Sequence, residues 1–130
     1  MNHVPFNATD EELVEVVNEW VRLLEAERYL DAYALTDHVE NSGWSPSSIK
    51  EYVKAYGEAK PDQVVTFAGT PTDITQRIEV TRWTKNSLGE TGEIWYDLNI
   101  DGLVSDVTAT FAICVVPDGL TLRLCDLHVM

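Results

Sequence analysis

The pattern of apolar residues changes once along this chain, and that change constrains the fold more than any other feature of the sequence. Before Pro61 the apolar residues recur every three or four positions, as in amphipathic helices. After Pro61 they alternate with polar residues, as in half-buried strands. Helices first and strands after, without the alternating order of a parallel sheet, predict an α+β domain.

The first helix has a clear start and a clear apolar face. Thr9 is followed three residues later by Glu12, which is the capping-box pattern, and the helix is predicted to run to about Glu27. Helical spacing predicts its buried stripe. The members of that stripe are Leu13, Val16, Val17, Trp20 and Leu24.

Two shorter helices are predicted before the change of pattern. One spans residues 29–35. The other begins at Pro46, because proline suits the first helical position and Ser45 before it can cap the helix. Gly57 can end that helix in a left-handed conformation.

The second half predicts four or five antiparallel strands. Asp101-Gly102 is typical of a two-residue hairpin turn. The predicted strands are Gln63–Ala68, Arg77–Thr84, Gly92–Ile100, Leu103–Val116 and Leu120–Val129. Three N-terminal helices packed on a curved sheet can form one domain over residues 1–130, since a chain of this length buries enough surface for a single core.

This order of elements resembles the nuclear transport factor 2-like group, also called cystatin-like α+β. In that group a curved, cone-like sheet wraps a long first helix and leaves a pocket at its wide end. The resemblance covers nearly the whole chain. It implies no single function, because the group includes isomerases, dehydratases, binding modules and immunity proteins.

Three segments carry a second resemblance. They are GEIWYDL at 92–98, SDVTA at 105–109 and DLHV at 126–129. They are similar to segments in a family of small bacterial proteins of unassigned activity. This resemblance implies a bacterial origin.

The net charge of −13 limits the possible partners. Nucleic acids and anionic membranes are disfavoured, because both need a positively charged protein surface. A basic protein partner or a small molecule is compatible with this charge. The first helix places Glu12, Glu15 and Glu19 on one outward stripe, which is expected to steer a basic partner or simply to favour solubility.

No targeting segment, cofactor motif or metal motif is recognised. The first twelve residues are polar and acidic, and the longest apolar stretch, Ala109–Val116, is too short to span a bilayer. A cytoplasmic location is therefore expected, with reduced thiols. Cys114 and Cys125 lack zinc-ligand spacing and are predicted to be small core residues.

Register counting from the Asp101-Gly102 turn gives a first candidate site. It places Asp97 opposite Asp106 on one face of the sheet. Facing carboxylates repel, so the pair predicts either a shared proton or bound cation, or two solvated carboxylates. Trp83 and Arg82 could shield the pair, which favours the solvated alternative.

Asp126 and His128 form a second candidate site, whose orientation depends on the last turn. A two-residue loop at Asp118-Gly119 turns both side chains toward the helices, as a general acid and base. A three-residue loop turns them outward, near Thr110 and Thr108, and a bulge near Cys125 is the third possibility.

Two function classes follow from these observations. The first is a binding module, either an immunity-type inhibitor or another small partner-binding protein, with Trp44 after the 41–43 loop and Tyr96 as further binding candidates. The second is a pocket enzyme of the isomerase or dehydratase type that uses Asp126 and His128. A homodimer through the sheet face that carries Trp83 and Trp95 is also expected.

Overall fold

The computed structural model describes residues 3–38, 43–57 and 59–129, and the predicted loop residues 41 and 42 lie outside them. Its three helices are α1 (Asp10–Glu25), α2 (Tyr29–Leu35) and α3 (Pro46–Ala55). Both predicted N-caps are confirmed. The Thr9 side chain accepts from the backbone N–H of Glu12, and Ser45 accepts from the backbone N–H of Ser48 in a second capping box.

The strands form an antiparallel sheet that is curved and open. They are β1 (Val65–Thr66), β2 (Ile78–Arg82), β3 (Glu90–Ile100), β4 (Leu103–Val116) and β5 (Gly119–Val129). β3 pairs with β4 on one side and with both β1 and β2 on the other, while β5 pairs with β4. The predicted α+β class, with N-terminal helices and a curved antiparallel sheet, is confirmed.

The core lies between α1 and one face of the sheet. The predicted stripe of α1 is buried except at Val16, which is half-buried, and Val21 joins it. Trp20 is 0% exposed and meets Phe111 of β4 edge to face, with ring centroids 5.1 Å apart. The face of the sheet toward the helices is here called the inner face, and the opposite one the outer face.

The β3–β4 hairpin begins as predicted but changes register. Asp101 and Gly102 both have positive φ, as a type I′ turn requires, and Ile100 pairs with Leu103. A bulge then follows, at which the Ser105 hydroxyl donates to the Leu98 carbonyl at 2.7 Å and accepts from the Val107 N–H at 3.2 Å. The Ser105 side chain thus takes the place of backbone hydrogen bonds between the two strands, and the register of β4 against β3 shifts by two residues.

That slip makes the predicted pairing of two carboxylates wrong. Asp97 lies opposite Thr108, and Asp106 falls within the irregular part of β4. Counting residue pairs from the turn assumes a regular ladder, and the bulge interrupts that ladder. Nothing in the alternation of β4 marks Ser105 as the residue that breaks the ladder.

The β4–β5 hairpin turns at Pro117-Asp118, not at Asp118-Gly119, so Val116 pairs with Gly119. Gly119 is the first residue of β5, and the N-terminal segment passes over it. A Cβ on residue 119 would lie 2.0 Å from the Val4 carbonyl oxygen, so there is no room for a side chain. The predicted bulge near Cys125 is confirmed, and beyond it the register differs by one.

The bulge decides where the second candidate site faces. Asp126 pairs with Thr110 and His128 with Thr108, so the predicted inward orientation is wrong and the outward alternative is confirmed. None of the helices in the described residues is long and apolar enough to cross a membrane.

Candidate functional site on the outer face of the sheet

Asp97 is the centre of a hydrogen-bond network on the outer face. Its Oδ1 accepts from the Thr108 hydroxyl at 2.7 Å, and its Oδ2 accepts from the backbone N–H of Arg77 at 2.9 Å. The Asp97 backbone N–H donates in turn to the Arg77 carbonyl, and Gln76 Nε2 donates to the Asp97 carbonyl. Asp97 therefore fixes the segment that leads into β2.

Arg77 also belongs to an aromatic cluster. Its guanidinium lies 3.8 Å from Asp97 Oδ1 and 5.1 Å from the ring centroid of Trp95, within cation–π distance. His128 meets the same indole edge to face, with centroids 5.8 Å apart. Trp95 is thus held between a cation and an imidazole, and it stays half-exposed.

Asp106 has a different partner from the predicted one. The Tyr56 hydroxyl, just beyond α3, donates to Asp106 Oδ1 at 2.5 Å. Burial, and then the hydrogen bond to the Asp106 carboxylate, raise the pKa of Tyr56, so the phenol stays protonated at neutral pH. Asp106 thereby ties the sheet to the end of α3.

A polar cleft of about 480 Å³ lies between these groups. Asp73, Ile74 and Thr75 form one wall, and Ser105, Asp106 and Thr108 belong to β4. Arg77 and Asp97 complete the lining. Because three of the lining residues are aspartates and one is arginine, the cleft favours positively charged or hydrogen-bonding groups.

Asp126 and His128 lie close together on this face. His128 Nδ1 lies 3.2 Å from Asp126 Oδ2. The Asp126 side chain is 54% exposed and the His128 side chain 29% exposed. Such a pair can move a proton at the surface, but it does not sit in an enclosed cavity.

The other predicted site residues lie elsewhere. Arg82 donates to Asp10 Oδ1 and to the Ala8 carbonyl, so it joins β2 to the start of α1 and does not shield Asp97 as predicted. Tyr96 is 2% exposed on the inner face, where its hydroxyl donates to Asn18 at 2.7 Å.

Trp44 is half-buried beside α3. Its indole N–H donates to the carbonyl of Cys125, the bulged residue of β5, at 3.1 Å, and its ring meets Tyr52 edge to face. Trp44 therefore fastens α3 to the irregular part of β5. Its proposed role as a binding residue remains a prediction.

The acidic stripe of α1 points to solvent as predicted, but it is more strongly neutralised than the sequence indicates. Arg22 lies 2.9 Å from Glu15 and 3.7 Å from Glu19. Asp10 pairs with Arg82, which comes from the other half of the chain. Much of the negative surface of α1 is thus locally compensated.

Sequence reasoning missed Arg77 and Tyr56, which hold the two aspartates. Arg77 reaches Asp97 because Glu79 pairs with Trp95, and the seven-residue connection between β2 and β3 does not specify that register. Tyr56 follows α3, and no local signal in the sequence relates it to β4. Among the described residues, no group of three or more His, Cys, Asp or Glu side chains could hold a metal ion.

The two cysteines differ in environment. Both are free, and Cys114 is buried as predicted, but Cys125 is exposed because it is the bulged residue. Burial raises the pKa of the Cys114 thiol to about 11, and burial also raises the pKa of Cys125. Neither environment activates a nucleophile.

We expect iodoacetamide at pH 8 to alkylate Cys125 and to leave Cys114 almost unmodified in the folded protein. With a pKa of about 11, roughly one Cys114 thiol in a thousand is ionised at that pH, and the side chain is covered. Mass spectrometry of the digested protein measures both sites, and urea-unfolded protein is the control in which both react. Equal labelling in the folded state would contradict the placement of Cys114.

Comparisons with known proteins identify the family but no activity. No curated protein and no solved structure matches the chain, so the resemblance to the nuclear transport factor 2-like group remains a prediction. A family model described as a domain of unknown function, DUF7668, matches residues 21–130, from the last third of α1 onward. Because this match covers most of the sequence, the chain belongs to the DUF7668 family.

Proposed function

We propose that this protein is a binding module that recognises another protein, with an immunity-type inhibitor as the most specific form of that proposal. The observation that carries it is the filled space between α1 and the sheet. Trp20 and Phe111 pack edge to face between α1 and the sheet, and both are at most 1% exposed. On the outer face, by contrast, Trp95, Asp126 and His128 remain accessible.

The size of the interior space supports the same proposal. The void lined by α1 and β5 measures about 10 Å³, between Leu13 and Val16 on one side and Leu120 and Leu122 on the other. Pockets that enclose small-molecule ligands typically measure about 300–1,000 Å³. A small molecule could therefore enter this void only if the side chains around it moved.

A pocket enzyme that uses Asp126 and His128 is the second candidate function. The separation of 3.2 Å between the carboxylate and the imidazole favours it, since these are residue types that general acid–base catalysis uses at short range. The open position of the pair on the outer face weighs against it, because an exposed site does not exclude water.

We also propose a bacterial, cytoplasmic setting. The second resemblance supports the origin, and two free thiols agree with a reducing compartment. A basic protein in the same compartment is then the expected partner of a chain with a net charge of −13.

The test is affinity capture from the native cell, followed by calorimetry with the purified candidate partner. We expect saturable binding with a fixed stoichiometry. We also expect Asp126→Asn and His128→Gln to leave the fold intact, as judged by circular dichroism. If no purified candidate binds, and if turnover of a small substrate is found and lost in both variants, the binding proposal fails and the enzyme takes its place.

A further inference from the structure

We infer that the outer face of the sheet is the docking surface, and that it takes a positively charged segment of another protein. This inference rests on the proposed binding function and adds the place and the chemistry of the partner. The surface, here called the acidic sheet face, consists of Glu79, Glu93, Trp95, Asp97 and Asp126, together with Asp106 from the lining of the adjoining polar cleft.

The balance of charge on this face is the first argument. Its two arginines are already engaged: Arg77 lies beside Asp97, and Arg123 forms an ion pair with Glu90. Glu79 on β2 and Glu93 on β3 have no ion-pair partner among the described residues. The face therefore presents net negative charge, which complements Lys and Arg side chains of a partner.

A preorganised aromatic anchor is the second argument. Trp95 lies in the middle of the face, fixed by Arg77 and His128. Nearby Trp83 is 37% exposed, and its indole N–H donates to the Glu90 carbonyl at 3.1 Å. Tryptophans held in place before binding lose little conformational freedom when a partner docks, and such residues dominate interface energies.

The same charge argument separates the proposed occupant from the alternatives. The homodimer that the sequence predicts through Trp83 and Trp95 competes with this inference, because a second copy of the chain would bring two acidic sheet faces together and like charges in contact cost several kcal/mol. A nucleic acid would be repelled for the same reason. A basic segment that also carries apolar side chains matches both the carboxylates and the two tryptophans.

The experiment is a titration of ¹⁵N-labelled protein with a twelve-residue peptide that alternates Lys or Arg with Leu, followed by NMR. We expect shifts in the amides of β2, β3 and β4 and in the indole N–H of Trp95. The double variant Glu79→Lys/Glu93→Lys should weaken binding about tenfold or more, because it places like charges on the docking surface.

The matched control is Glu15→Lys/Glu19→Lys, which changes the net charge equally on α1 and should alter affinity by about twofold or less. Shifts centred on α1, or equal losses in both variants, would overturn the inference. So would a dimer in sedimentation that Glu79→Lys/Glu93→Lys abolishes, since a second copy would then occupy the face. If a native partner binds both double variants equally well, the binding function stands and only this surface is wrong.

Discussion

Replacing Trp20 with Ala should destabilise the protein by about 3–5 kcal/mol, the range measured for large aromatic residues in cores. Trp20 is fully buried in α1 and packs edge to face on Phe111. Its indole N–H has no hydrogen-bond partner among the described residues, so the loss is one of packing and not of a polar contact. The melting temperature should fall by roughly 10–20 °C, which differential scanning calorimetry measures.

Trp83→Ala is the matched control for that experiment. It removes the same side chain from a site that is 37% exposed, where the indole makes one hydrogen bond to the Glu90 carbonyl. We expect a loss of about 1 kcal/mol or less. Equal destabilisation by the two variants would mean that α1 does not provide the central contact of the core.

Replacing Arg123 with Met should cost about 3 kcal/mol, because it removes the cation beside the Glu90 carboxylate and leaves only the Asn86 amide, which donates to Glu90 Oε1 at 3.1 Å. The two side chains are only 20% and 17% exposed, and they join β5 to β3 across β4. A carboxylate without a cation is poorly solvated in that position. Urea unfolding at pH 7 measures the change in the free energy of unfolding.

A double-mutant cycle separates this interaction from simple loss of contacts. The double variant Glu90→Gln/Arg123→Met should cost less than the sum of the two single changes, because it leaves no buried charge without a partner of opposite charge. Arg28→Met is the exposed counterpart of this change. The Arg28 side chain is 61% exposed and that of its partner Asp31 is 50% exposed, so Arg28→Met should change the free energy of unfolding little. Additive costs for Glu90 and Arg123 would show that the pair is not energetically coupled.

The position of the candidate site depends on contacts between residues that lie far apart in the sequence. The outward position of Asp126 and His128 follows from the bulge at Cys125 and from a turn at Pro117-Asp118. That turn is fixed in part by Val4, more than a hundred residues away, which occupies the space beside Gly119. The alternation of apolar and polar residues along a strand distinguishes its two faces. It does not predict which side chains point toward the helices after a bulge.

The sequence by itself determined the type of each element, the helix caps at Thr9 and Ser45, and the turn at Asp101-Gly102, because these depend on residues three or four positions apart. It also determined the acidic charge. Only the tertiary structure decided which charged groups meet. Arg77 with Asp97 and Tyr56 with Asp106 come together because strand register and helix packing place them there. Register is the sum of many distant contacts, and one bulge changes the neighbours of every residue beyond it.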